Sequence, residues 1–438
     1  MKLDFPVALV QYTGSNFATR HSIMKKTTEK LFLYLIPLLF TFPLFKENVS
    51  SFFFVLLATN TVAYNIITKN YKSINWKRVL LLSIPLWIII IASSLKTTLI
   101  TDLKDVNHAL FFLLVPLVFG LIPNNYFSRQ KIELYISILK NACFMICIVY
   151  LAAFFYYHPA SEFFEVAYNV SAFRNFVYSE IGFFNMHPTY FSAIMLFCIS
   201  FSAEKVIRER KLYELFYIVF FTIMTLLLLV KINILSLIIL FPVIILFRSG
   251  MTVKMKLIAI PAIIAFMAAI VWFGPGLKNR FSELYESIDR PPVGLAHDST
   301  NIRVAILKCS LEIAKENYMF GIGFEQLPYA LHNCFVSHYD SEFYKTHKYL
   351  THNYYAYLFL SSGIFALLAF LFYLFKIWEI LRKIHFFPLY VTVANVLLIC
   401  FTEDYFYRQF GLLYFNLILM TFLKYYEFQK ATPTKIAD

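Results

Sequence analysis

His352, Asn353, Tyr354 and Tyr355 run consecutively into an apolar stretch that holds Ser361, Ser362 and Gly363. An imidazole at such a boundary can take a proton from a substrate hydroxyl near neutral pH and stay wet enough to pass it on. The position equally suits a histidine that only anchors a span at the interface. Upstream, Arg303 opens a segment with apolar residues at Ile302, Ile306, Cys309 and Ile313, a helical repeat that Ser299 or Thr300 can cap. A guanidinium beside a helix N-terminus favours a bound phosphate. Arg280 and Arg290 could add to that field, although arginines of this kind are often only solvated surface residues. Lys231 lies between the apolar runs Leu226 to Val230 and Ile232 to Ile234. A cation there either meets a substrate or snorkels at a tight turn. His187-Pro188 enters another apolar run, where proline suits a helix start and the histidine can be merely interfacial.

The elements that must position these residues are membrane spans. The 438-residue chain is 60% hydrophobic and 15% charged, outside the range of ordinary soluble domains. Its 50 Phe and 30 Tyr suit helix interfaces and interfacial belts. A net charge of +13 would suggest nucleic acid in a soluble protein, but the Lys and Arg are spread between apolar runs, so topology explains them and no nucleic-acid partner is expected. Apolar runs begin near Leu31, Phe52, Val79, Ala109, Ile136, Pro188, Leu215, Ile232, Leu257, Tyr354, Leu389 and Gly411, predicting an all-α protein of about twelve spans. The runs at Leu31 and Ala109 are short and need snorkelling flanks or a thinner bilayer.

Orientation follows from the positive-inside rule. Lys25, Lys26 and Lys30 precede the first span, and every second connection thereafter is basic, among them Lys77 and Arg78, Arg208 to Lys211, Arg248 to Lys256, and Arg382 and Lys383. Both termini are then expected in the cytoplasm, with the first apolar run retained as a span and not cleaved. Two long connections fall outside, His158 to His187 and Gly274 to His352. The expected organisation is a transmembrane region over residues 1–273 with about nine helices, a periplasmic loop subdomain over 274–352, and a second transmembrane region over 353–438 with about three helices and a cytoplasmic tail. Gly321-Ile322-Gly323 fits a helix stop inside that loop.

Four cysteines lie in apolar runs, while Cys309 and Cys334 share the outer loop, where oxidation to a disulfide is open. The chain has no CxxC pair, no HExxH and no glycine-rich phosphate loop, which argues against those zinc sites and against an ATP-driven pump.

The string His352 to Tyr355 followed by Gly363 resembles the signature that closes the large outer loop in the O-antigen ligase and O-antigen polymerase superfamily. The stretch from Arg303 to Gly321-Ile322-Gly323 is similar to the same family, as is His187-Pro188-Thr189-Tyr190 entering a span. The likeness covers roughly Met186 to Leu423. It implies a fold of the glycosyltransferase-C type and an enzyme of a bacterial inner membrane that transfers glycan on the periplasmic face, with inversion and without metal or other cofactor. The donor implied is a glycan on undecaprenyl diphosphate. The acceptor is lipid A-core in a ligase, the reading preferred here, or a lipid-linked glycan in a polymerase. By the same matching, His352 would be the base and Arg303 would hold the departing diphosphate. Lys231, Arg280, His187, Tyr190 and Asn353 are expected to bind substrate, Arg280 from its charge alone. Lys231 stands where the family carries a Ser-Arg pair, a departure that keeps the charge and loses the planar fork.

Two rivals remain at this stage. A flippase or exporter of lipid-linked sugars would share the composition without needing a histidine base. A metal-dependent transferase would use Asp102 and Asp105, or Glu403 and Asp404, as acids or ligands.

Overall fold

The structure is a computed structural model and describes residues 8–96, 103–167, 170–248, 250–274, 276–288 and 299–431. Its helices are α1 (Ala8–Leu39), α2 (Glu47–Thr68), α3 (Trp76–Leu82), α4 (Ile84–Lys96), α5 (Leu103–Ala109), α6 (Phe111–Leu121), α7 (Arg129–Tyr157), α8 (Ala172–Asn175) and α9 (Pro188–Glu209). They continue as α10 (Glu214–Leu227), α11 (Lys231–Phe247), α12 (Val253–Phe273), α13 (Leu277–Ser287), α14 (Ser299–Asn317), α15 (Leu327–His338), α16 (Glu342–Thr346), α17 (Tyr354–Ile384), α18 (Phe387–Ile399) and α19 (Gln409–Ala431). One two-residue ribbon, Val166–Ala167 against Val170–Ser171, interrupts the helical pattern.

Among the described residues, six segments are long and apolar enough to cross a membrane: α2, Lys104–Leu121, α7, α9, α12 and α17. Helices α3 and α4 make a possible seventh, bent by 63°. The run at Ala109, short by itself, gains length because α5 leads directly into α6. Helices α10, α11 and α18 are apolar but shorter. Length and composition therefore support six or seven crossings, and the other expected runs form helices that do not meet that standard alone.

Helices α9 and α19 run through the interior. Every residue from Pro188 to Lys205 and from Phe410 to Lys424 is buried, as expected for helices apolar on all faces with neighbours all round. Helix α12 is the opposite case, with Val253, Leu257, Ile258, Phe266 and Phe273 all exposed, an apolar surface that suits lipid. A buried ion pair joins two helices: Lys140 of α7 meets Glu214 of α10, whose Oε2 also accepts from Ser202 at 2.7 Å.

The segment between α12 and α17 builds a layer of its own. Cys309 of α14 and Cys334 of α15 are joined by a disulfide, with Cα atoms 5.9 Å apart, a bond favoured in an oxidising compartment. The Gly321 and Gly323 turn does more than stop α14. Ile322 N donates to Leu360 O at 2.8 Å, Gly323 N to Ser361 O at 2.9 Å and Ile364 N to Tyr318 O at 2.9 Å, so the turn docks on the backbone of α17. Helix α17 accepts it by breaking at Gly363, which has φ 82° and ψ −176°. A side chain on Gly363 would stand 2.0 Å from Met319 O, and one on Gly321 would stand 2.4 Å from Ser361 C.

Candidate functional site

Asn353 caps α17, its side-chain oxygen accepting from Ala356 N at 3.0 Å, which explains why the helix begins just after His352. His352 itself has φ 45°, a left-handed conformation uncommon for a non-glycine residue. Asp404 holds it there. Its Oδ2 accepts from His352 N at 3.0 Å, and its Oδ1 accepts from Asn353 N at 3.2 Å and from Thr351 Oγ1 at 2.6 Å. Burial pushes the Asp404 carboxyl up, against the lowering influence of the Thr351 hydrogen bond and the His352 charge.

The neighbouring Glu403 bridges two candidates. Its Oε2 lies 3.2 Å from His352 Nδ1 and its Oε1 accepts from Arg303 at 3.0 Å. Burial alone would raise the Glu403 carboxyl, but the His352 hydrogen bond and the charges of His187, Arg303 and His352 outweigh it and hold it down to about 2. Arg303 also donates to Ser299 O at 2.9 Å and Thr402 O at 3.3 Å, and its buried Nε has no hydrogen-bond partner among the described residues. With Nδ1 directed at a carboxylate, His352 can keep Nε2 as the acceptor, the tautomer a base requires.

Arg303, Glu403 and Thr402 line a cleft of about 400 Å³, which Lys231 and Arg174 also reach. Its other wall is apolar, with Ile232, Leu235, Phe281 and Leu307. Lys231 is the first residue of α11, pairs with Glu283 at 3.1 Å and donates to Thr300 Oγ1 at 3.2 Å. Glu283 also accepts from Thr300 N at 3.2 Å and from Ser299 Oγ at 2.6 Å. The N-terminus of α14 is therefore met by a carboxylate from α13, where the sequence suggested self-capping by Ser299 or Thr300.

The structure brings His352, Asn353, Arg303 and Lys231 to one region, and it places His187 and Tyr190 beside it. His187 caps α9, its Nδ1 accepting from Thr189 N at 3.3 Å, and burial lowers its pKa to about 4. Tyr190 is buried and stacks on Tyr405 with ring centroids 5.0 Å apart, away from the cleft lining. Arg280 belongs to α13, but its side chain, like Arg290 and Pro291-Pro292, lies outside the described residues. Of the metal-ligand candidates, Asp105 accepts from Tyr357 OH at 2.5 Å and Asp102 is outside the described residues. Glu403 and Asp404 direct their oxygens at N–H and O–H donors of the chain itself.

Sequence reasoning passed over Arg174, whose Nη1 donates to Leu229 O at 3.3 Å beside the cleft. A signal existed, since Arg174 is the single Lys or Arg between His158 and His187. Glu403 was weighed as an acid or metal ligand. Nothing local in the sequence marked it as the partner of His352.

Comparison with known proteins now bears on these observations. The family model described as O-antigen ligase matches residues 216–371, the stretch from α10 through α14 to α17 that carries Lys231, Arg303 and His352. No curated protein matches the chain.

Proposed function

From its place in the O-antigen ligase and polymerase superfamily, assigned through residues 216–371, we propose that the protein is an O-antigen ligase. In this reading it is a multi-pass inner-membrane enzyme that moves a glycan from undecaprenyl diphosphate to a sugar hydroxyl of lipid A-core on the periplasmic face. The observation that carries the reading is Glu403 bridging His352 and Arg303 at one end of a cleft that is cationic on one wall and apolar on the other. Such a cleft suits a lipid diphosphate, whose head is anionic and whose tail is hydrocarbon.

The acceptor oxygen attacks the anomeric carbon from the side opposite the diphosphate, the bond to the diphosphate oxygen breaks, and the configuration inverts. The hydroxyl proton passes to His352 Nε2. The imidazolium so formed is stabilised by the Glu403 carboxylate, which stays ionised with a pKa of about 2. The diphosphate leaves with its growing negative charge beside Arg303, Lys231 and Arg174. No metal enters this sequence of steps. His352 is the base, and Asn353 and Asp404 set its backbone. His187 is assigned to substrate binding from its place in the family pattern and Arg280 from its charge, and Tyr190 packs behind His187.

The twelve-span topology and the periplasmic subdomain at residues 274–352 belong to the same proposal, with α1, α10, α11, α18 and α19 as further crossings. Lipopolysaccharide from a deletion strain tests the function on a gel. Loss of all long chains while lipid-linked polymer accumulates supports the ligase. A core bearing a single repeat would identify a polymerase instead, and an unchanged ladder would remove both.

A further inference from the structure

A second cavity, of about 290 Å³, opens beside the first site and has no part in the steps above except through His187. Asn48 at the start of α2, Tyr178 and Asn185 from the loop before α9, His187, and Arg408 and Phe410 at the start of α19 all line it. Its deeper surface is apolar, with Met186 4%, Tyr190 5% and Phe410 7% exposed. The side chains of Asn48, Asn185 and Arg408 make no hydrogen bond or ion pair among the described residues, and the Tyr178 ring meets that of His187 edge-on at 5.1 Å. An apolar floor below uncommitted, planar hydrogen-bonding groups matches a sugar ring, which has an apolar face and a rim of hydroxyls. Lys46, Glu47 and Arg408 bring charges of both signs, which suits a polyol better than a phosphate.

The cavity also lies next to the proposed base. His187 lines the cavity, and Thr189, whose N–H donates to His187 Nδ1, lines the cleft of Arg303 and Glu403. The Tyr349 ring stands 5.5 Å from that of His352 and interacts electrostatically with Tyr178. A ring seated against Tyr178 and His187 lies alongside the cleft lined by Arg303, where the lipid-linked donor is placed. We infer that this cavity is the acceptor subsite and that it holds the sugar receiving the glycan, with Asn48, Asn185 and Tyr178 as its specificity-determining contacts. The inference rests on the transfer reading above and adds where the acceptor sits.

The test uses the purified full-length protein, lipid-linked glycan extracted from the source membranes as donor, and lipopolysaccharide lacking O-antigen as acceptor. Asn48→Ala combined with Asn185→Ala, and separately Tyr178→Ala, should raise KM for the acceptor about tenfold or more, as expected for two lost hydrogen bonds or a lost ring face. Binding of labelled donor should stay within about twofold. The isosteric Asn48→Asp and Asn185→Asp variants give the same readout if an alanine variant is poorly expressed. An unchanged acceptor KM in protein that still transfers glycan overturns the subsite and leaves the function standing. Loss of donor binding assigns the cavity to the donor and also overturns it. Failure of the unaltered protein to transfer at all overturns the function itself. In that case, binding of the delipidated core oligosaccharide that weakens in the Asn48 and Asn185 variants still supports a sugar site, and equal binding removes it.

Discussion

Glu403 Oε2 lies 3.2 Å from His352 Nδ1, although 51 residues and the whole of α17 and α18 separate them in the chain. The contact directs the imidazole's second nitrogen outward and supplies a counter-charge for the imidazolium. His352→Gln, which fills similar space without acting as a base, should lower turnover by roughly a hundredfold or more while donor binding changes little. Near-normal turnover at normal expression would reduce His352 to an interfacial anchor. Glu403→Gln keeps an acceptor for Nδ1 and removes the charge, and should cost about tenfold to a hundredfold in kcat.

The same pair makes a prediction about pH. Glu403 ionises at about 2 and His187 at about 4, so neither changes charge between pH 5 and 8 in the folded protein. Loss of activity on acidification within that range should persist in His187→Gln. Stability should behave differently. Unfolded His187 binds a proton below its ordinary pKa while the folded form does not until about pH 4, so this residue makes stability fall as pH drops through that window. His187→Gln should flatten that part of the melting-temperature profile, and an unaltered profile would mean that His187 is not buried neutral.

Arg303 ties Glu403 to the cleft. Arg303→Ala should abolish most transfer while the protein still inserts, and Arg303→Lys should recover only part, because an ammonium cannot reproduce the planar fork on a phosphate. The readout is transfer per unit of inserted protein. Full activity in the alanine variant would take Arg303 out of the site.

Gly363 is the joint that holds the outer layer on α17. Gly363→Ala places a methyl group against Met319 O at a φ of 82° and should destabilise the protein by about 2 kcal/mol or more. Gly120→Ala, with nothing within 4 Å of the added atom, should be close to neutral. Thermal unfolding in detergent compares the two, and equal melting temperatures would contradict the docked turn.

Topology is open to a direct check. A reporter fused after Phe324 or Tyr339 should report periplasm, and one after Lys256 or Arg382 should report cytoplasm. The reverse pattern would place His352, Arg303 and the disulfide on the wrong side for the proposed reaction.

Much of this protein was readable from local features. Apolar runs located α2, α7, α9, α12 and α17 because hydrocarbon solvation depends on composition over one continuous segment. His187-Pro188 and His352-Asn353 announced the starts of α9 and α17 because capping is settled within about one turn. The repeat from Ile302 to Ile313 marked α14 for a similar reason, since helical periodicity is local. The partners of these residues were a different matter. Glu403 looked like any acid in a short connection, and only the packing of the α18–α19 link under the start of α17 set its carboxylate between His352 and Arg303. Glu283 gave no sign that it would take over the N-terminus of α14, and Gly363 read as an ordinary small residue in a span until the Gly321 turn was seated on it. The sequence by itself determined which residues could carry a proton or a charge and which segments prefer lipid, because both are properties of single residues and their near neighbours. The tertiary structure alone decided which charges face one another, because a buried ion pair joins segments far apart in the chain and exists only where helix packing brings them within a few ångströms.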